Sequence, residues 1–206
     1  MPGIQRWRAT WTGLGTDAAD DQLYTEVVAS YSEPHRRYHT MQHLDECFAR
    51  LDEARSLAGR LYEVELALWF HDAVYHVRKQ DNEEKSAAWA HAAAAQSGLP
   101  SAVAERVHTL ILVTKHGASP PTEDAALLVD VDLAILGAAA ERFDEYERQV
   151  REEYAWVPGF LFRNRRREIL EGFLARPHVY STDHFRARYE APARANLARS
   201  IQLLGG

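Results

Sequence analysis

The stretch from about Tyr62 to Tyr75 is apolar nearly all round at helical spacing, a pattern that suits only an element covered on every side. A helix of that kind is central, and the other elements must wrap around it. Its last part, ALWFHDAVY, carries His71 and Asp72 side by side. Two polar groups there must be hydrogen-bonded or bound to something, since burying each one unpaired costs about 2–7 kcal/mol. A divalent metal satisfies both at once. A histidine bonded to a backbone carbonyl, with the aspartate bonded elsewhere, satisfies them separately.

The remaining pattern is helical. Alternating β-branched runs are missing, so strand signals are weak. Asp20 or Asp21 caps a first helix carrying Leu23, Val27 and Tyr31, and Pro34 follows its end. A second helix is expected from about Tyr38 to Ala58, with Leu44, Cys47, Phe48 and Leu51 at helical spacing. The third is the apolar run itself. A fourth begins at DNEE, where Asp81 and Glu84 have capping-box spacing, and stops at Gly98. A fifth runs from Pro100 to Gly117 and a sixth from Glu123 to Leu136. A seventh spans Ala139 to Tyr154, an eighth Phe160 to Ala175, and a last one follows Pro192. The expected fold is a single all-α domain over residues 1–206, a bundle of about nine helices.

Charge and cysteine usage exclude several classes. A net charge of -6 argues against a nucleic-acid polymer as partner but leaves room for a small phosphorylated ligand. The basic run RNRRRE at Arg165 to Arg167 reads as a solvated helix face. Cys47 is the only cysteine, which rules out an intramolecular disulfide and, on this reading, a cysteine-based zinc site. MPGIQRWRATW has no apolar leader and no long apolar span follows, so the expected location is cytoplasmic, without a membrane. Trp156 and Phe160, near WVPG, suit either core or interface, and a homo-oligomer stays open.

Other candidates for chemistry are spread along the chain. His39 and His43, four apart on the expected second helix, would share one face, either as a metal-binding pair or as ordinary hydrogen-bonded histidines. Asp130 and Asp132 lie in the apolar segment AALLVDVDLAILG. Two residues apart on a helix they point in different directions, so one faces a metal and the other finds a donor or solvent. His116 suits either a helix C-terminus or a pocket wall, and His108 lies on roughly the same face. His91 reads as structural or exposed. Glu83 or Glu84 serves either as a helix cap or as a carboxylate that orients water. Arg37 is either a surface arginine or a phosphate clamp, with Lys115 a weaker candidate for the same task.

The order YHTMQH (Tyr38 to His43), FHDAVY (Phe70 to Tyr75) and DVDLAILG (Asp130 to Gly137) resembles the HD superfamily of metal-dependent phosphohydrolases. YSEPHRRYH, WFHDAVY, DNEEKSA and a TKH segment are similar to an uncharacterised bacterial subgroup of that superfamily, over about Tyr31 to Tyr180. The resemblance implies an all-α bundle with His43, His71, Asp72 and Asp132 as metal ligands, Asp130 being the fallback for the last. YHTMQH also resembles the YHNxxH segment of cyclic-nucleotide phosphodiesterases, which implies that His39 is the general acid. The additional histidines of two-metal members have no recognisable counterpart, so one divalent transition metal (Mn, Fe, Co, Ni or Zn) is expected. The implied activity is hydrolysis of a small phosphoester, nucleotides among them, by a metal-bound hydroxide. His39, Glu83 and Arg37 are the catalytic candidates. A nucleotide-binding sensor without turnover and an HD-type iron oxygenase are the alternatives.

Overall fold

The computed structural model describes residues 3–16, 20–115 and 119–205. Among the described residues are ten α-helices and no strand, as the sequence pattern requires. They are α1 (Ile4–Gly13), α2 (Asp21–Ser30), α3 (Met41–Glu53), α4 (Leu61–Phe70), α5 (Asn82–Gln96), α6 (Ser101–Leu112), α7 (Glu123–Asp132), α8 (Ala140–Glu153), α9 (Gly159–Leu174) and α10 (Asp183–Gly205). Short 3-10 segments cover Arg55–Leu57, Val113–Lys115 and Leu133–Gly137. None of the described helices is long and apolar enough to cross a membrane. The chain divides into two compact units, Met1–Val131 and Asp132–Gly206.

In the first unit α4 is the central helix, packed against α1, α3, α5 and α6. Every residue from Glu63 to Phe70 is buried. Two of these are carboxylates, and both are satisfied. Glu65 accepts from Arg6 (2.8 Å), Thr10 (2.9 Å) and Arg55 (3.0 Å), while Glu63 accepts two bonds from Arg106 (2.8 and 2.6 Å). The helix α1 has no counterpart in the sequence expectation. Its buried face is only Trp7, Thr10 and Trp11, too short a stripe to stand out, yet Trp7 meets Trp69 at 5.3 Å and anchors it. The face of α5 that packs on α4 and α6 is Ser86, Ala87, Ala90, Ala93 and Ala94, small residues that let the helices approach closely. Gly98 ends α5 as expected. It stands at φ 74°, and the amides of Gly98 and Leu99 close back on the carbonyls of Ala95 and Ala94 in a Schellman arrangement.

The second unit is built on α10, which packs against α9 and the Leu133–Gly137 segment. Asn196 donates to the carbonyls of Leu136 and Ala138 (2.9 Å each), and the Tyr180 hydroxyl donates to Leu133 (3.2 Å). At Gly137 a Cβ would stand 2.7 Å from the Tyr189 carbonyl oxygen, so this close crossing requires glycine. The last helix starts at Asp183, well before the expected start after Pro192, and carries that proline in its interior. An interior proline costs about 3 kcal/mol. It is tolerated because both flanks are anchored: Phe185 is buried against Tyr180 and Tyr189, and Arg194 donates to the carbonyls of Leu174, Arg176 and Pro177. The basic run of α9 is only partly a solvated face, since Arg166 is buried on Glu147 while Arg165 and Arg167 are exposed.

Glu190 joins α10 to the chain before it. Its carboxylate accepts from the amides of Val179 (3.0 Å) and Tyr180 (3.3 Å) and from Arg194 (2.7 Å). Burial pushes its carboxyl up, but these donors outweigh burial and hold it below the ordinary 4.5. A depressed folded value gives stability that is present above pH 4.5 and is lost as the pH falls through the folded value. Glu190→Gln is therefore expected to cost about 1–3 kcal/mol at neutral pH. Thermal melts of both proteins should converge as the pH is lowered below 4.5. A gap that stays constant with pH would rule this account out.

Candidate metal centre

His43 is the third residue of α3, and Cys47 follows one turn later on the same face. His71 is the C-cap of α4, and Asp132 is the last residue of α7. The donor atoms of these four lie within 4.8 Å of one another, with His43, Cys47 and His71 buried. This His/Cys/His/Asp group can hold a metal ion.

The backbone sets up the nitrogen donors. His71 Nδ1 lies 2.8 Å from the Leu68 carbonyl oxygen. A carbonyl only accepts, so the proton is on Nδ1 and the Nε2 lone pair points inward. That Nε2 stands 3.1 Å from His43 Nε2. Asp72 Oδ2 completes a triangle with them, 3.2 Å from His71 Nε2 and 3.5 Å from His43 Nε2. Two ligands held about 2.1 Å from one ion at angles of about 90–110° stand about 3.0–3.4 Å apart, so the triangle has the dimensions of three ligands of one ion.

Asp72 is also tuned for this place. Burial raises its carboxyl, but the neighbouring imidazoles of His71, His39 and His43 overcome that and hold it well below the usual carboxylate range. Its side chain is 19% exposed, so solvent reaches this edge of the triangle.

Cys47 revises the expectation that a single cysteine leaves sulfur out of any metal site. Its Sγ lies 3.7 Å from both ring nitrogens of His43. Equal distances put the sulfur over the imidazole ring and not in line with either lone pair, because an in-plane approach that close would collide with Cε1. The thiol therefore packs on the His43 ring and stays within the cluster of donor atoms. Its position one helical turn after His43 was the available signal.

The turns that carry the site differ from the expected helices. The helix expected from Tyr38 begins only at Met41, because Thr40 is the N-cap and accepts from the Gln42 amide (3.3 Å). His39 thus lies in the turn before α3, not on one helical face with His43. Its ring stacks on Tyr75 at 4.0 Å, and its centroid is 6.0 Å from that of His43. The helix expected to run to Tyr75 stops at Phe70, and His71 and Asp72 occupy the following turn.

A buried arginine accounts for both changes. Arg36, absent from the expected site, donates to Glu33 (3.0 Å) and to the carbonyls of His39 (3.1 Å), Asp72 (2.6 Å) and Ala73 (3.0 Å). Its guanidinium lies between the rings of Tyr31 (5.2 Å) and Tyr75 (5.5 Å). The Asp72 amide in turn donates to the Tyr31 hydroxyl (3.2 Å), whose pKa burial pushes up to about 12. These partners take the backbone groups that would otherwise continue α4. Arg37, the residue singled out from sequence, is exposed and donates to the carbonyls of Pro34 (2.7 Å) and Arg36 (2.9 Å).

DNEEKS supports the turn from the other side. Ser86 pairs with both backbone groups of Val74, and Asn82 with both of His76. The capping box does not form: Asp81 is the N-cap without a side-chain cap bond and pairs with Lys85 (2.9 Å), and Glu84 pairs with Lys115. Glu83 is half-buried in the first turn of α5. Asp130 is fully buried in α7, and it is Asp132, not Asp130, that joins the cluster. His91 and His108 face each other at 6.0 Å between α5 and α6. His116 and Gly117 lie outside the described residues.

No family model, no curated protein and no solved structure matches the chain.

Proposed function

We propose that this protein is a metal-dependent hydrolase of small phosphoesters, of the HD type. The observation that supports this reading best is the convergence of His43 Nε2, His71 Nε2 and Asp72 Oδ2 at separations of 3.1 to 3.5 Å, with Asp132 beside them. The same four residues are those that the HD resemblance singles out. His43, His71, Asp72 and Asp132 would hold one divalent transition metal. When bound there, such an ion supplies Lewis acidity and lowers the pKa of a coordinated water from about 16 toward about 7.

The chain's own groups then have separable tasks. The His71 ring is oriented by Leu68, which keeps its Nε2 available. The partly exposed edge at Asp72 is where a substrate oxygen would enter. His39, stacked on Tyr75 and close enough to influence Asp72, would hand a proton to the leaving oxygen. Arg37 can turn to a phosphate oxygen only by releasing the Pro34 and Arg36 carbonyls. Glu83 is assigned to orient water, a role that Glu83→Gln checks by lowering turnover with the metal content unchanged.

The direct test is elemental analysis of the purified protein, followed by phosphate release from nucleotides and generic aryl phosphates. The proposal expects about one transition-metal ion per chain and release that a chelator abolishes. Nucleotide binding without phosphate release would point to a sensor instead. A second iron with an oxygen-dependent optical spectrum would point to an oxygenase.

A further inference from the structure

His91 and His108 have no part in the hydrolase reading. Their rings face each other across α5 and α6 with centres 6.0 Å apart and planes at 86°, and both are half-exposed. Among the described residues neither ring takes part in a hydrogen bond or an ion pair. The register that brings them together is repeated further along the helices, where Glu84 of α5 pairs with Lys115 just past the end of α6. His91 follows Glu84 by seven residues and His108 precedes Lys115 by seven. Seven residues are two turns, so both pairs lie on one edge of the antiparallel helices. The small face of α5, with Ala87, Ala90 and Ala94 buried, draws α6 close and fixes the backbone beneath both histidines.

An ion about 2.1 Å from an imidazole nitrogen lies about 3.2 Å from the centre of that ring, so one ion bridges ring centres up to about 6.4 Å apart. The 6.0 Å between His91 and His108 is within that reach, as is the 5.2 Å between His43 and His71. The surroundings suit a hydrated cation. The residues one turn before and after His91 on α5 are alanines, which leave room for water. The one charged residue a turn from His108 is Glu105, an exposed carboxylate. We propose that His91 and His108 form a second metal site, which takes one divalent cation of the zinc, copper or nickel class between two imidazole nitrogens. Imidazole is the ligand these ions favour. With only two nitrogens and open positions for water, the site exchanges its ion with the buffer, which separates it from the buried His43–His71–Asp72 triangle.

Equilibrium dialysis of the full chain against micromolar zinc chloride, followed by elemental analysis, tests the site. His91→Ala and His108→Ala should each hold one zinc ion fewer per chain than the wild type. Helix content should be unchanged, since alanine is the best helix former and both positions are half-exposed. The double variant should lose that same single ion and no more. The readout is a difference from the wild type, so it stands whether or not the triangle is loaded. Equal zinc in the wild type and both single variants overturns the proposal. Loss in one single variant alone, or loss of two ions in the double variant, overturns it too, because either shows that the two histidines do not share an ion.

Discussion

His43→Ala and His71→Ala are each expected to abolish stoichiometric metal binding while leaving the helix content intact. The two imidazoles form the buried side of the triangle, and each supplies one of its three corners. Asp132→Ala should lose the metal as well. Metal loading of the wild type should raise the thermal midpoint, since saturation at about 100 times Kd adds about 2.7 kcal/mol to stability. The histidine variants should gain nothing from the same metal. His39→Ala is the contrasting case: it should retain the metal but lower turnover by about 10²–10⁴-fold, the usual contribution of a positioned acid. Elemental analysis, melts with and without added metal, and phosphate release check these outcomes together. Full metal content and full activity in all of these variants would refute the assignment.

Arg36→Met should be the most damaging single change near the site that removes no ligand. The variant keeps the aliphatic stem but leaves the carbonyls of His39, Asp72 and Ala73 without their donor. Unsatisfied buried acceptors cost about 1–3 kcal/mol each, and partial relaxation should bring the total to about 3–5 kcal/mol. For a chain of this length that is a fall of roughly 10–15 °C in the melting midpoint. Arg36→Lys should recover only a minor part, because an ammonium group cannot match the guanidinium fork over several carbonyls. Weaker metal binding is expected even well below the new midpoint, since the turn bearing His71 and Asp72 loses its anchor. An unchanged midpoint in Arg36→Met would show that the turn is held by other means.

The residues of this region were legible in the sequence to different degrees. His71 and Asp72 stood out because polar groups inside an apolar run demand a partner, and the structure supplies one for each. The choice of Asp132 over Asp130 followed from the resemblance, and α7 places Asp132 in the cluster by ending on it. Arg36 was passed over for Arg37 because adjacent arginines look alike until burial separates them: the Arg36 side chain is wholly buried and Arg37 is exposed. Cys47 was set aside by counting cysteines, although its spacing from His43 already put the two on one helical face. The capping spacing of Asp81 and Glu84 misled, because two exposed lysines, Lys85 and Lys115, compete for those carboxylates.

Hydrophobic spacing and helix-stop residues by themselves determined the all-α class, the burial of the Leu61–Phe70 helix and the end of the Asn82–Gln96 helix at Gly98. These depend on local geometry that a helix imposes wherever it lies. Tertiary structure alone decided that the central helix stops at Phe70 and that His39 leaves the helix of His43. Both follow from hydrogen bonds made across the fold by Arg36, Tyr31, Asn82 and Ser86, which claim backbone groups that local propensity would have kept in a helix. The metal-sized triangle exists because those long-range bonds outweigh one more helical turn.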